Sequence, residues 1–164
     1  MSVRRGDKPG AAGSLLVVNL RGLVNTRAPV RTTLEQLRVA RRFNATIVPD
    51  DDVHRGMLNV AKEHLAWCKL SAATAESLLK ARSERSSGTR VDEALISKEH
   101  GSFHDIATQL ADGKIKLNSI EQMRPFFRLS SPKGGFKRSI RRQHRDGGIL
   151  GPNEDLPSLV EKMI

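Results

Sequence analysis

Apolar and polar positions change their period several times along this chain, and each change marks an element. SLLVVNL, residues 14 to 20, is a continuous apolar run of strand length closed by Gly22 and Asn25. In APVRTTLEQLRVARRF the apolar Val30, Leu34 and Leu37 recur at i, i+4 and i+7, which is one helical face, and Arg31, Arg38 and Arg42 form a second stripe beside it. ATIVP is a second short strand, ended by Pro49 and the acidic turn Asp50 to Asp52. VHRGMLNVAKEH then places Val53, Met57, Val60 and Ala61 on one helical face, with His64 on it too, and LAWCKL is a third strand. The first seventy residues therefore predict β-α-β-α-β: an α+β class with a small three-stranded sheet and two helices on one face. Leu34, Val48, Met57 and Val60 are expected to meet between sheet and helices.

Beyond Leu70 the texture changes. SAATAESLLKARSE is helix-forming and RSSGTR breaks it, while VDEALISKEHGSFHDIATQLADGK reads as two short helices hinged at Gly101. After a polar turn, PFFRLS is a strand, and NEDLPSLVEKMI closes the chain as a helix with Leu156, Leu159, Val160 and Met163 on one side and Pro157 at its start. That helix is predicted to return to the body and pin the far end of the segment before it. The chain thus divides into a flexible tail (1–13), the βαβαβ core (14–70), a helical extension (71–122), a strand with a basic loop (123–151) and a C-terminal helix (152–164).

Composition sharpens this outline. A chain of 164 residues suits one principal core, yet its 38% hydrophobic content is below the globular average, so part of it is not expected to pack on itself. The formal net charge of +10 points to polyanionic partners and away from acidic small substrates. One cysteine permits no internal disulfide, which fits a reducing compartment. The run LLVV near the N-terminus falls short of the ~7 to 15 apolar residues of an export signal, and no stretch approaches the ~18 of a membrane span. A soluble intracellular protein with no membrane partner is expected.

Catalytic chemistry finds little support. The three aspartates precede a helical pattern, where a carboxylate caps free backbone N–H groups, and they lack the spacing of a cation-binding loop. His100 and His104 are four apart, but Gly101 lies between them and no H-E-x-x-H motif is present. SPKGGFK is not a phosphate-binding loop, and Cys68 beside Trp67 reads as a buried, inert thiol. The expectation is no enzyme, no metal, no cofactor and no small-molecule substrate.

The basic segment is the informative one. From Arg124 to Arg145 there are eight cations in twenty-two residues, and the next acid is Asp146. Guanidinium and ammonium groups neutralise phosphates and release counterions without needing a fold of their own. Gly134 and Gly135 let a sugar-phosphate chain approach the backbone. Phe136 and His144 either stack on unpaired bases or, for Phe136 equally, pin the segment to the body. With so few apolar residues, 131–148 is expected to be mobile until RNA orders it. For Arg31, Arg38 and Arg42, a solvated flank and an RNA-facing stripe are equally consistent with the spacing.

RLSSPKGGFK, the later glycines and NEDLPSLVEKMI resemble the C-terminal end of a universal large-subunit ribosomal protein family, whose bacterial form is numbered thirty and whose eukaryotic form is numbered seven. LRGLVNTRAPVRTTLEQLRVARRFNATIVPDDDVHRGML is similar to that family's N-terminal signature. The short N-terminal tail looks archaeal, and the short bacterial form is similar only up to about Leu70. The resemblance implies a non-catalytic structural constituent of the large subunit, in the cytoplasm, with large-subunit ribosomal RNA and neighbouring ribosomal proteins as partners. Candidate RNA contacts are then Arg27, Arg31, Arg38, Arg42 and Arg128, followed by Lys133, Gly134, Gly135, Phe136, Lys137, Arg138, Arg141, Arg142, His144 and Arg145. The alternative is a free-standing RNA- or DNA-binding regulator using the same surface.

Overall fold

The computed structural model describes residues 13–92, 94, 96 and 101–164; the predicted N-terminal tail, apart from Gly13, and His100, considered above as a metal ligand, lie outside them. The first strand, β1 (Ser14–Asn19), is buried along its whole length, which is why its sequence is a continuous apolar run instead of an alternation. It is the centre of the molecule. β2 (Asn44–Pro49) and β3 (Leu65–Lys69) pair antiparallel on either side of it, with Leu16 opposite Ile47 and Cys68.

Three strands from the second half of the chain widen this sheet. β4 (Phe127–Arg128) joins β2 antiparallel, β6 (Gly148–Pro152) joins β3 parallel, and β5 (Ser139–Gln143) lies outermost, parallel to β6. The order is β4-β2-β1-β3-β6-β5. The class is α+β, as the sequence predicts, with the three-stranded core built out into a six-stranded mixed sheet.

Each face of the sheet has its own filling. Leu15, Val17 and Val48 on one face meet Leu34, Leu37, Val39, Leu58 and Ala61, contributed by α1 (Ala28–Gln36), α2 (Asp52–Val60) and the turns after them. Leu16, Val18 and Ile47 on the other face meet α3 (Ala72–Arg82), α4 (Phe103–Ala111) and α5 (Leu156–Met163) through Leu78, Ile106, Leu110 and Val160. Ser71 caps α3 by accepting from the Thr74 N–H, and Ser102 with Asp105 forms a capping box on α4.

Two sequence expectations need correction. The first helix stops at Gln36, well before Arg42. Its end is a Schellman closure: the Val39 N–H donates to the Leu34 carbonyl and the Arg38 N–H to that of Glu35, both at 3.0 Å. Arg38 occupies the left-handed position with φ of +61°, which turns Val39 into the core. In the second helix, Val53 and Val60 are 71% and 50% exposed, so neither belongs to the core. The buried side is carried by Leu58 and Ala61 with Met57, one helical position away from the expected face.

The acidic turn serves the start of α2. Asp51 accepts from the His54 N–H at 2.7 Å as the cap. Asp50 receives both Arg55 Nε, at 2.6 Å, and Arg55 Nη2, at 2.9 Å. This paired guanidinium holds the Asp50 carboxyl below its ordinary range. His64 is buried in the turn before β3, its Nδ1 3.1 Å from the Gly22 carbonyl oxygen.

Candidate nucleic-acid interface

The basic segment is tied down at intervals. The Leu129 N–H donates to the Phe43 carbonyl, and the N–H groups of Ser130 and Lys133 donate to the carbonyls of Met163 and Lys162 in α5. The C-terminal helix therefore pins the near end of the segment, where the sequence reading expected the far end. A turn closed by the Gly135 N–H and the Pro132 carbonyl follows, with Gly134 and Gly135 both at positive φ. Phe136 then returns to the body: its ring lies 6.1 Å from that of Phe43, inclined by 29°. On Phe43, the Arg42 guanidinium carbon sits 4.6 Å from the ring centroid, and Arg42 Nε donates to the Leu20 carbonyl. One face of Phe136 is thus occupied by protein.

Past Phe136 the segment becomes a strand. β5 runs parallel to β6 with Ser139 opposite Gly148 and Gln143 opposite Leu150, a bulge lying between. This seating requires Gly148, where any Cβ would overlap the Arg142 carbonyl. Gln143 Nε2 donates to the Lys62 carbonyl at 2.9 Å and clips the strand to the turn before β3. In the stretch expected to be mobile until RNA orders it, backbone pairing and a clipped glutamine thus supply contacts that its few apolar side chains cannot.

The candidate contacts fall into groups. Arg141 and Arg142 are exposed on β5 and share a groove with Arg21, whose Nη1 donates to the Glu63 carbonyl. Lys137 and Arg138 share a second groove with Lys162 of α5, and Arg138 Nη1 lies 3.3 Å from Asp155 Oδ2. His144 opens a short 3-10 turn, with Arg138 Nη1 3.5 Å from its Nδ1, and Arg145 follows it. Lys133 is exposed beside the glycine turn, and Arg128 is exposed on β4, 4.0 Å from Glu84. Arg27, at the N-cap of α1, and Arg31 within it stand apart, and Arg31 is paired with Glu35 at 3.3 Å. Arg38 sits in the helix-ending turn and Arg42 against Phe43, so the three arginines of the expected helical stripe occupy three different local structures.

The side chains of Lys133, Lys137, Arg141, Arg142 and Arg145 enter no ion pair among the described residues. Sequence reasoning missed Arg21 and Lys162. Both are far from the basic segment in the chain, and only the β1–β3–β6–β5 order and the return of α5 bring them to it. The chemistry of the remaining candidates is spent structurally. Burial pushes the Cys68 thiol up to about 11, leaving it a poor nucleophile at neutral pH. Among the described residues no group of three or more His, Cys, Asp or Glu side chains is placed to hold a metal ion.

The arrangement is an edge strand carrying two unpaired arginines, with Lys133, Lys137 and Arg145 unpaired in the turns on either side of it. Residues 15–65 match the model of the ribosomal protein L30p/L7e family. The chain is 35% identical over 153 residues to the large ribosomal subunit protein uL30 of Korarchaeum cryptofilum, covering 92% of this chain and 94% of that one. It is 33% identical to the protein of that name from Cenarchaeum symbiosum, covering 93% of this chain and 99% of that one. The Nitrosopumilus maritimus counterpart is 32% identical with the same two coverages. This chain belongs to the L30p/L7e family, in its archaeal form. L30p/L7e is a family of ribosomal structural proteins, not of enzymes. The family model spans β1 to the start of β3, whereas the relatives match across the extension and the basic segment as well.

Proposed function

We propose that this protein is a non-catalytic constituent of the large ribosomal subunit in the cytoplasm, where it binds and stabilises the folded ribosomal RNA. The observation that carries this reading is the reach of the similarity. With 92% of this chain covered, the match to the Korarchaeum protein has to include the basic segment, so the cationic edge lies within the aligned span. In this reading Lys133, Lys137, Arg141, Arg142 and Arg145 meet phosphates, joined by Arg21 and Lys162 from neighbouring elements. Arg38 and Arg42 add contacts at the sheet end, and Arg128 and Arg138 contribute less because each is shared with a carboxylate. Arg27 and Arg31, at and after the start of α1, extend the surface, and neighbouring ribosomal proteins cover part of the remainder.

Sedimentation of a cell lysate tests the assignment. The protein should travel with the large subunit and stay there through a high-salt wash. A free-standing nucleic-acid-binding regulator would be stripped into the supernatant, which would overturn the proposal. Crosslinking from β5 to ribosomal RNA then locates the contact.

A further inference from the structure

The α1/α2 face of the sheet is not covered to its edge. The helices lie over β1 and β2, and on β3 the half-buried Trp67 packs partly against their cluster. Beside it a groove of about 800 Å³ remains open, within the range of small-ligand sites. Arg55 and Asn59 of α2, Pro152, Pro157, Lys69 and His144 line it together with Trp67. The two acids on the groove are Asp50, already neutralised by Arg55, and the exposed Glu154. His144 links the groove to the basic segment, since it directly follows β5 and precedes Arg145.

An indole edged by prolines, with a lysine and a histidine beside it and an RNA-facing strand leading into it, has the makings of a stacking site. Proteins recognise unpaired bases by laying them on aromatic rings and holding the adjoining phosphate with a cation. We propose that this groove receives one unpaired nucleotide of the bound RNA, its base against Trp67 and its phosphate at Lys69 and His144. The proposal rests on the RNA-binding reading above. It adds a recognition element that phosphate contacts alone do not provide. An apolar or proline-rich protein tail would also suit a tryptophan groove, but the continuity of this one with the unpaired arginines of β5, through His144, favours a polyanion.

The chain has one tryptophan and no tyrosine, so its intrinsic fluorescence reports this groove alone. Full-length protein titrated with deproteinised archaeal large-subunit RNA should show quenched emission and reduced access of acrylamide to Trp67. Trp67→Leu should bind that RNA about 5- to 150-fold more weakly with an unchanged dependence on salt, and Trp67→Phe should recover most of the loss. Binding with unaltered emission and acrylamide access would overturn this inference while leaving the RNA-binding reading intact. Absence of binding at low salt would remove both. Shielding of Trp67 in the intact subunit, but not on bare RNA, would assign the groove to a protein neighbour and likewise overturn it. The wild-type titration decides the matter even if the leucine variant does not fold.

Discussion

The two faces of the central sheet are filled by different stretches of chain. One face is covered locally over β1 and β2, by α1, α2 and their turns, all within residues 15–65, where the family model also ends. The other face is closed only by elements that begin at Ala72, with α3, α4 and α5 laid over Leu16, Val18 and Ile47. A strand buried on both sides cannot be satisfied by half of its protein. The extension is therefore part of the core before it is anything else. The basic edge is carried by that same part, so seating β5 depends on the second face being closed.

The largest expected effect follows from removing that closure. A fragment of residues 13–70 keeps α1 and α2 but uncovers Leu16, Val18, Leu20 and Ile47 as one continuous apolar face. It should associate or fail to fold. Light scattering on the purified fragment checks this, and a stable monomer with native circular dichroism would show that the local face suffices.

Point truncations sharpen the comparison. Leu34 faces α2's side of the sheet and Leu110 faces the other, and both are fully buried. Leu34→Ala and Leu110→Ala should each cost about 2–5 kcal/mol by denaturant unfolding, whereas Arg141→Ala should stay within about 0.5 kcal/mol. A cost for Leu110→Ala as small as that for Arg141→Ala would mean the extension rides on the core without sharing in it.

Legibility in the sequence followed the same divide. Elements whose signal is local were readable: the apolar run of β1, the proline that opens α5, the aspartate that caps α2. What failed was set by contacts distant in sequence. Val60 fits the helical face of Met57, but the actual rotation of α2 is fixed by Leu58 meeting the sheet. The arginine stripe assumed a helix that the core interrupts by drawing in Val39, whose carbonyl accepts from buried Asn19 Nδ2 at 2.6 Å. The basic segment was visible from charge alone, yet its strand character was not, because β5 is held by pairing to β6 and a clip to Lys62. Arg21 and Trp67 gave no local sign of their surroundings.

The next effect in size is electrostatic. Five unpaired cations meeting phosphates would give a slope of log affinity against log salt of roughly −3.5 to −4.5. Changing Arg141 and Arg142 together to Ala should lower its magnitude by between one and two, with affinity falling for many RNA sequences alike. Weaker binding with the slope unchanged would mean that these side chains pack or stack instead.

A smaller effect concerns Arg38, which holds a left-handed conformation that L-residues adopt at a cost. Glycine is the usual occupant of this position in a Schellman closure. Arg38→Gly should therefore raise stability by about 0.5–1 kcal/mol, after the added freedom of the unfolded glycine is offset, while weakening RNA binding. A gain in stability with RNA affinity untouched would remove Arg38 from the interface.

The smallest effect is a pH dependence, and it links the closed face to the edge. His64 is buried beneath the β1–α1 turn with its Nδ1 against the Gly22 carbonyl. Burial lowers its pKa from the ordinary value of 6.5, helped by the nearby Arg21, while Gly22 and Glu63 oppose the shift. The unfolded chain thus takes up this proton more readily than the folded one. The stability that neutral His64 provides is complete above about pH 6.5 and is lost as pH falls through that value toward the lowered folded pKa. Thermal melts between pH 8 and pH 5 should show this loss. They should be flatter for His64→Asn, whose side-chain amide can donate to the Gly22 carbonyl without titrating. The carboxylates with lowered pKa have ordinary values of 3.8 for Asp50, Asp51 and Asp105 and 4.5 for Glu76, all below this window. Parallel curves for wild type and variant would mean that His64 is solvated in the folded state, and that the turn carrying Arg21 to the groove of Arg141 and Arg142 is held by other contacts.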